Sequence, residues 1–99
     1  MCDIHCVALT EAQQERLVLL IEELSEVQKQ ACKILRFGYP DIHPHTKVDN
    51  LTILHEELGD LQAVIDLMIG SGDIKHSEIS KQIPIKNEKL KKFTRFQGL

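Results

Sequence analysis

Two acidic stretches contain the residues best suited to chemistry. In the first, Glu23 and Glu26 lie three residues apart, and in the second Glu57 and Asp60 have the same spacing. Residues three apart lie on one side of an α-helix, so each pair presents two carboxylates together. Like charges in this arrangement repel each other and favour a compensating cation. The expected partner is Mg²⁺, a hard ion that binds carboxylate oxygens and shares them with phosphates.

Each acid pair also lies in line with apolar or amide residues, at spacings of four, three and four. The two lines are Leu19, Glu23, Glu26 and Gln30, and Ile53, Glu57, Asp60 and Val64. An acid pair in such a line is unlike an ordinary solvated helix face. Strings of acids are nevertheless common on exposed helices, so a solvated acidic face is the alternative interpretation. Two such pairs on two predicted helices favour the metal site.

Together the two acidic motifs resemble a known family, the MazG-like, all-α nucleoside triphosphate pyrophosphohydrolases. The similarity is strongest to the short, single-domain members and covers roughly residues 15–93. The motifs that carry it are Glu22-Glu23-x-x-Glu26, Glu57-x-x-Asp60, the stretch from Lys33 to Gly38, and Asn50.

This resemblance implies a reaction and roles for the acids. The reaction is hydrolysis of a nucleoside or deoxynucleoside triphosphate between the α and β phosphates, which gives the monophosphate and pyrophosphate. Glu22, Glu23 or Glu56 would orient or deprotonate the attacking water. The residues that would hold Mg²⁺, or Mn²⁺ as its substitute, are Glu23, Glu26, Glu57 and Asp60.

Basic residues supply candidates for binding the phosphates of such a substrate. Lys33 and Arg36 lie two and nearly three helical turns beyond Glu26 on roughly the same face, within reach of a phosphate or of a neighbouring subunit. The segment 87–93 resembles a basic segment of the same family, and its alternative interpretation is a solvated tail. The residues that the resemblance adds to substrate binding are Asn87, Lys89 and Lys92.

Composition predicts one small domain over residues 1–99, with 42% hydrophobic residues. Residues 1–9 are expected to be frayed and residues 37–49 to form a loop between helices. The net charge of −3 argues against a nucleic-acid partner. No apolar run approaches the roughly 18 residues of a membrane span, and no secretory signal is recognisable. A cytoplasmic location without membrane contact is therefore expected, in agreement with three cysteines that form no CxxC pair.

Capping residues and apolar spacing predict the helices. The first helix should cover residues 11–36, begun by a capping box of Thr10 with Gln13 and ended by Gly38. The second should cover residues 51–69, with Asn50 as its N-cap. A short helix over residues 74–83, capped by Ser77, should stop at Pro84, and a last helix should begin near residue 85.

Two further positions in the second helix carry expectations. Gly59 costs about 1 kcal/mol against Ala, and this indicates close approach by another helix. Asp66 lies six residues beyond Asp60 and therefore faces another direction, so a separate polar contact is expected of it.

The expected fold is all-α, an antiparallel helical bundle completed by oligomerisation. The first helix alone would be roughly 39 Å long at 1.5 Å per residue, longer than a compact domain of this size needs. Part of its apolar surface must therefore be covered by a second subunit. The resemblance implies a homodimer at least and often a homotetramer, with each active site built partly from a neighbouring chain.

The loop between the first two helices contains Tyr39, His43 and His45 around two prolines. A solvated turn is one interpretation, and a flap over the nucleobase or ribose, with Tyr39 stacking, is the other. At the N-terminus, Cys2 and Cys6 with the histidine between them suggest either a soft-metal site or a frayed end.

Two rival functions stay open. A di-iron carboxylate bundle requires Glu-x-x-His on two helices, but Glu26 and Asp60 occupy the positions where histidines are needed. A non-catalytic helical interaction module with a solvated acidic face is the second. Such a module would show no change in melting temperature with Mg²⁺.

Overall fold

A computed structural model describes residues 8–99, which form three α-helices. They are α1 Glu11–Phe37, α2 Asn50–Gly70 and α3 His76–Phe93. Within this range the backbone forms no β-strand beyond one isolated bridge, so the predicted all-α class is confirmed. Most of the N-terminal segment expected to be frayed, together with Cys2 and Cys6, lies outside the described residues.

Helix α1 begins where its sequence predicts and ends within one residue of the predicted end. The Gln13 amide donates to the Thr10 hydroxyl oxygen at 3.0 Å, and the Thr10 amide donates to the Gln13 side-chain oxygen at 2.9 Å. At the other end Gly38 has a φ of 86°, a conformation that favours glycine, and its amide donates to the Ile34 carbonyl at 2.8 Å. The helix is one residue longer than predicted because Phe37 remains helical.

The N-cap of α2 corrects one prediction. Asp49, not Asn50, caps the helix: its carboxylate accepts from the Thr52 amide at 3.3 Å, and hydrogen bonding from the Thr52 hydroxyl lowers the pKa of Asp49. Asn50 is buried instead. Its side-chain amide donates to the Gly38 carbonyl at 3.0 Å, and the side-chain amide of Gln30 donates to the Asn50 backbone carbonyl at the same distance. Asn50 therefore joins the end of α1 to the start of α2.

An ion pair joins the start of α1 to the end of α2, as two antiparallel helices allow. Arg16, near the start of α1, binds Asp73, just after α2, with its Nε 2.5 Å from Oδ2 and its Nη2 3.0 Å from Oδ1. Both side chains are largely shielded from solvent, with 17% and 13% of their surface exposed. The two parallel hydrogen bonds fix the register of the hairpin.

Replacing Asp73 by Asn is expected to lower the melting temperature at neutral pH. The Arg16 guanidinium holds the pKa of Asp73 below its ordinary 3.8, so the ionised carboxylate stabilises the folded state above that value. This contribution is lost as the pH falls through the folded-state pKa. Melting temperatures of parent and variant, followed by circular dichroism, should therefore converge in acid. A difference that persists undiminished below pH 3.8 would contradict this role.

Helix α3 is continuous, so the predicted break at Pro84 is wrong. The helix continues from His76 to Phe93 with Pro84 inside it, and Ser77 lies within the helix and does not cap it. The carbonyl that loses its partner is that of Ser80, which is half-exposed, and the residues that follow it, 81–89, are all exposed, so the proline disturbs no buried packing. Good helix formers on both sides then carry the helix past this position.

The described chain leaves much apolar surface uncovered. Helices α1 and α2 pack together, whereas α3 has no buried residue and makes only marginal contact with them. Met68 is the one buried apolar side chain in the described range, and Leu24 and Leu58 are exposed at 48% and 43%. The radius of gyration is 17.6 Å, against about 13 Å for a compact domain of this length.

The surroundings of Gly59 are also unpacked. No neighbouring atom lies within 4 Å of a Cβ placed on it, so the close helix approach expected there does not occur within the described chain. None of the described helices combines the length and the apolar content needed to cross a membrane.

Candidate metal centre

Three carboxylates from two helices meet at the middle of the α1–α2 hairpin. Glu23 comes from α1, and Glu57 and Asp60 come from α2. One oxygen from each lies within 4.8 Å of the other two, which is the range in which a single ion can bridge them. Glu23 and Glu57 are half-buried and Asp60 is exposed. We refer to these three residues as the acid cluster.

Within the acid cluster, the negative charge of Glu57 is disfavoured. Burial raises the pKa of Glu57, and the charges of nearby acids raise it further. Among these charges, that of Glu26 raises the pKa of Glu57 most, although no oxygen of Glu26 belongs to the acid cluster. The other contributing acids are Asp60, Glu23 and Glu56. A bound cation would relieve this repulsion.

The donor atoms of the cluster fit a hard divalent ion. All three are carboxylate oxygens, the ligand type of Mg²⁺ and Mn²⁺, and the cluster includes no histidine or cysteine. Zinc and di-iron sites rely on imidazole or thiolate ligands, so this set of donors favours Mg²⁺ over both.

A cleft of about 260 Å³ adjoins the acid cluster through Glu57. Its wall carries both signs of charge: Glu26 and Glu56 line it together with Lys29 and Lys33. The structure thus places the predicted phosphate ligand Lys33 beside the acids. Lys29 was not predicted, although it follows Glu26 by three residues and its place on the same face could be inferred from that spacing.

Other candidates lie away from this cleft. Glu22 is exposed and belongs to neither the cluster nor the cleft wall. Arg36 lines a separate shallow concavity of about 430 Å³, which Lys33 shares. The remaining substrate-binding candidates lie on α3 and do not line the acid cleft: Asn87, Lys89 and Lys92. Asp66 also makes a separate polar contact, accepting from the Gln62 side-chain amide at 2.9 Å.

The loop between α1 and α2 folds as a small hairpin. An isolated bridge pairs Ile42 with Asp49, and the His43 amide donates to the Val48 carbonyl at 2.9 Å. His43 lines the acid cleft, whereas Tyr39 lines a different concavity. The loop therefore brings a histidine to the cleft and leaves the expected stacking residue elsewhere.

Millimolar Mg²⁺ or Mn²⁺ is expected to raise the melting temperature, because a cation relieves the repulsion around Glu57. A ligand at about 100 times its dissociation constant adds roughly 2.7 kcal/mol to the free energy of unfolding. Sodium chloride at matched ionic strength is the control for general screening and should have a smaller effect. Equal shifts with both salts would contradict a specific site.

A function for this chain has to be derived from its own residues. The acid cluster and the cleft beside it are the features on which a proposal can rest. Comparison of the sequence with protein families and curated proteins, and of the structure with solved structures, gives no match.

Proposed function

We propose that this protein is a Mg²⁺-dependent nucleoside triphosphate pyrophosphohydrolase, which converts a nucleoside or deoxynucleoside triphosphate to the monophosphate and pyrophosphate. The observation that carries the proposal is the convergence of Glu23, Glu57 and Asp60 beside a cleft lined by two lysines. A site for a divalent cation next to positive side chains suits a polyphosphate, whose charge needs both.

The acids of the site would divide two tasks between them. Glu23, Glu57 and Asp60 would hold the ion, and Glu26 adds negative charge next to Glu57. Once bound, Mg²⁺ would polarise phosphate oxygens and lower the pKa of a coordinated water. Glu56 is better placed than Glu22 to orient or deprotonate the attacking water, because Glu56 lines the cleft.

The lysines would bind and orient the phosphate chain. Lys29 and Lys33 line the cleft and form no ion pair with any described residue. Their charges are therefore available to a substrate anion. Arg36 would extend this positive surface along α1 from the neighbouring concavity.

Residues of α3 would act across a subunit interface. Asn87, Lys89 and Lys92 lie on a helix that packs only marginally against its own chain. The exposed apolar side chains of the hairpin need cover as well. A homodimer or homotetramer meets both requirements, with α3 of one subunit supplying phosphate ligands to the cleft of another.

Product analysis over a panel of nucleoside and deoxynucleoside triphosphates tests the proposal. Each turnover should give one monophosphate and one pyrophosphate, and chelation of Mg²⁺ should stop it. Release of orthophosphate would indicate a different bond being cleaved. No Mg²⁺-dependent consumption of any member of the panel would refute the proposal.

A non-catalytic helical interaction module is the alternative, favoured by the large exposed apolar side chains of all three helices. Such a protein would bind partners through those side chains and leave the acids solvated. Its melting temperature would show no Mg²⁺-specific change, that is, none beyond the effect of matched ionic strength.

A further inference from the structure

We propose that His43 is a substrate-binding residue whose Nε2–H donates a hydrogen bond to an oxygen of the substrate's phosphate chain. The identity of the ligand rests on the proposed function. The role of the histidine rests on how the loop holds its ring and on what else lines the cleft.

The loop fixes the orientation of the imidazole. The backbone amides of His45 and Thr46 both point at Nδ1 of His43, at 3.1 Å and 3.3 Å. Because two N–H groups donate to Nδ1, this nitrogen acts as the acceptor, and the proton of the neutral ring is on Nε2. The histidine therefore has one nitrogen committed to the loop and one fixed as a donor.

The second nitrogen is available to a ligand. Nε2 of His43 makes no hydrogen bond with any described residue, and no buried polar side-chain atom in this range lacks a partner. Nε2 is therefore reached by solvent. The side chain is half-buried and lines the cleft shared with Glu57 and Lys33. A donor held in place at the wall of a charged cleft is ready to bind an acceptor.

The surroundings favour a phosphate oxygen as that acceptor. Lys29 and Lys33 line the same cleft and have no acidic partner within salt-bridge distance among the described residues. The acids of this wall are Glu26, Glu56 and Glu57, so a divalent ion held by the acids would leave the lysines to bind an anion, and the neutral Nε2–H would add a directed contact to it. The aromatic side chain that could stack on a base, Tyr39, lines another concavity.

Two substitutions of His43 test the roles of its two ring nitrogens separately. His43→Asn keeps an acceptor close to Nδ1, because an asparagine side chain accepts from amides two or three residues on, but it removes the Nε2 donor. His43→Gln places an amide N–H near the position of Nε2 and gives up the acceptor. His76→Asn makes the same change at an exposed histidine of α3, away from the cleft wall and from the His43 ring, and is the matched control.

Binding of inorganic pyrophosphate with Mg²⁺, measured by titration calorimetry, and thermal melting give the two readouts. His43→Asn should weaken pyrophosphate binding about tenfold or more with little change in melting temperature. His43→Gln should show the reverse, with a lower melting temperature and affinity near that of the parent. His76→Asn should leave the affinity unchanged.

Equal affinity in the parent and His43→Asn would overturn the proposal, as would a parent that does not bind pyrophosphate. Weakened binding of a nucleoside without phosphates, and not of pyrophosphate, would also overturn it by assigning the histidine to the base or sugar. A parent that hydrolyses no triphosphate, while its pyrophosphate binding falls in His43→Asn, would refute the proposed function and support the contact. The two failures are therefore distinguishable.

Discussion

Replacing Glu57 by Gln is expected to abolish Mg²⁺-dependent pyrophosphate release while leaving the helical content unchanged. Glutamine keeps the length and shape of glutamate but loses the charge that would hold the ion in the acid cluster. Metal assistance provides several kcal/mol to such a reaction, and about 1.4 kcal/mol corresponds to tenfold in rate. The expected loss is therefore about a thousandfold or more.

The same substitution is expected to raise the stability of the metal-free protein at neutral pH. Burial and neighbouring acids raise the pKa of Glu57 above its ordinary 4.5. A raised folded-state pKa contributes stability that is fully present below 4.5 and is lost as the pH rises through the folded-state value. With EDTA present, the variant should melt above the parent at neutral pH and approach it as the pH falls toward 4.5.

A matched control makes this pair of results specific. Glu15→Gln makes the same chemical change on α1 at an exposed acid outside the acid cluster and the cleft. Both activity and apo stability should stay near those of the parent. Activity near the parent level in Glu57→Gln, or a lower apo melting temperature, would contradict a metal role for Glu57, because losing a structural contact lowers stability.

Replacing Leu24 by Asp is expected to dissociate the proposed oligomer and to unfold much of the chain. Leu24 belongs to the acidic stretch of α1 and is 48% exposed in the single chain, although its type favours burial. At a subunit interface an unpaired carboxylate costs several kcal/mol, a large part of the stability of a small domain. Light scattering after size exclusion and far-ultraviolet circular dichroism would follow assembly and helix content.

Ala12→Asp is the control, because it adds the same charge at an exposed small residue in the first turn of α1. Near a helix N-terminus a negative charge is favourable, so the proposed oligomer and the helices should persist. A parent that scatters as an 11.3 kDa particle at micromolar concentration would contradict the expected assembly.

Features set by neighbouring residues could be predicted from the sequence. Thr10 with Gln13 forms the capping box, and Gly38 ends α1, because each depends on residues within one helical turn. The convergence of Glu23 with Glu57 needed only that two helices of the right length be joined by a loop that lets them pack together. Pattern and spacing contain that information.

Features that depend on distant residues could not be predicted. Arg16 and Asp73 are 57 positions apart, and their pairing follows from the register of the folded hairpin. The sequence could not show that Asp49, and not Asn50, caps α2. Both residue types are good N-caps, and the two differ here only in that Asn50 is buried by the fold. His43 reaches the cleft through the fold of its loop.

The central claim is that Glu23, Glu57 and Asp60 bind a divalent ion, and paramagnetic line broadening tests it most directly. Mn²⁺, added well below one equivalent to ¹⁵N-labelled protein, should broaden the backbone amide signals of these three residues first. Signals of exposed acids elsewhere, such as Glu15 and Glu88, should keep their intensity at the same concentration. Uniform broadening at all exposed acids, or broadening centred away from the acid cluster, would contradict the claim.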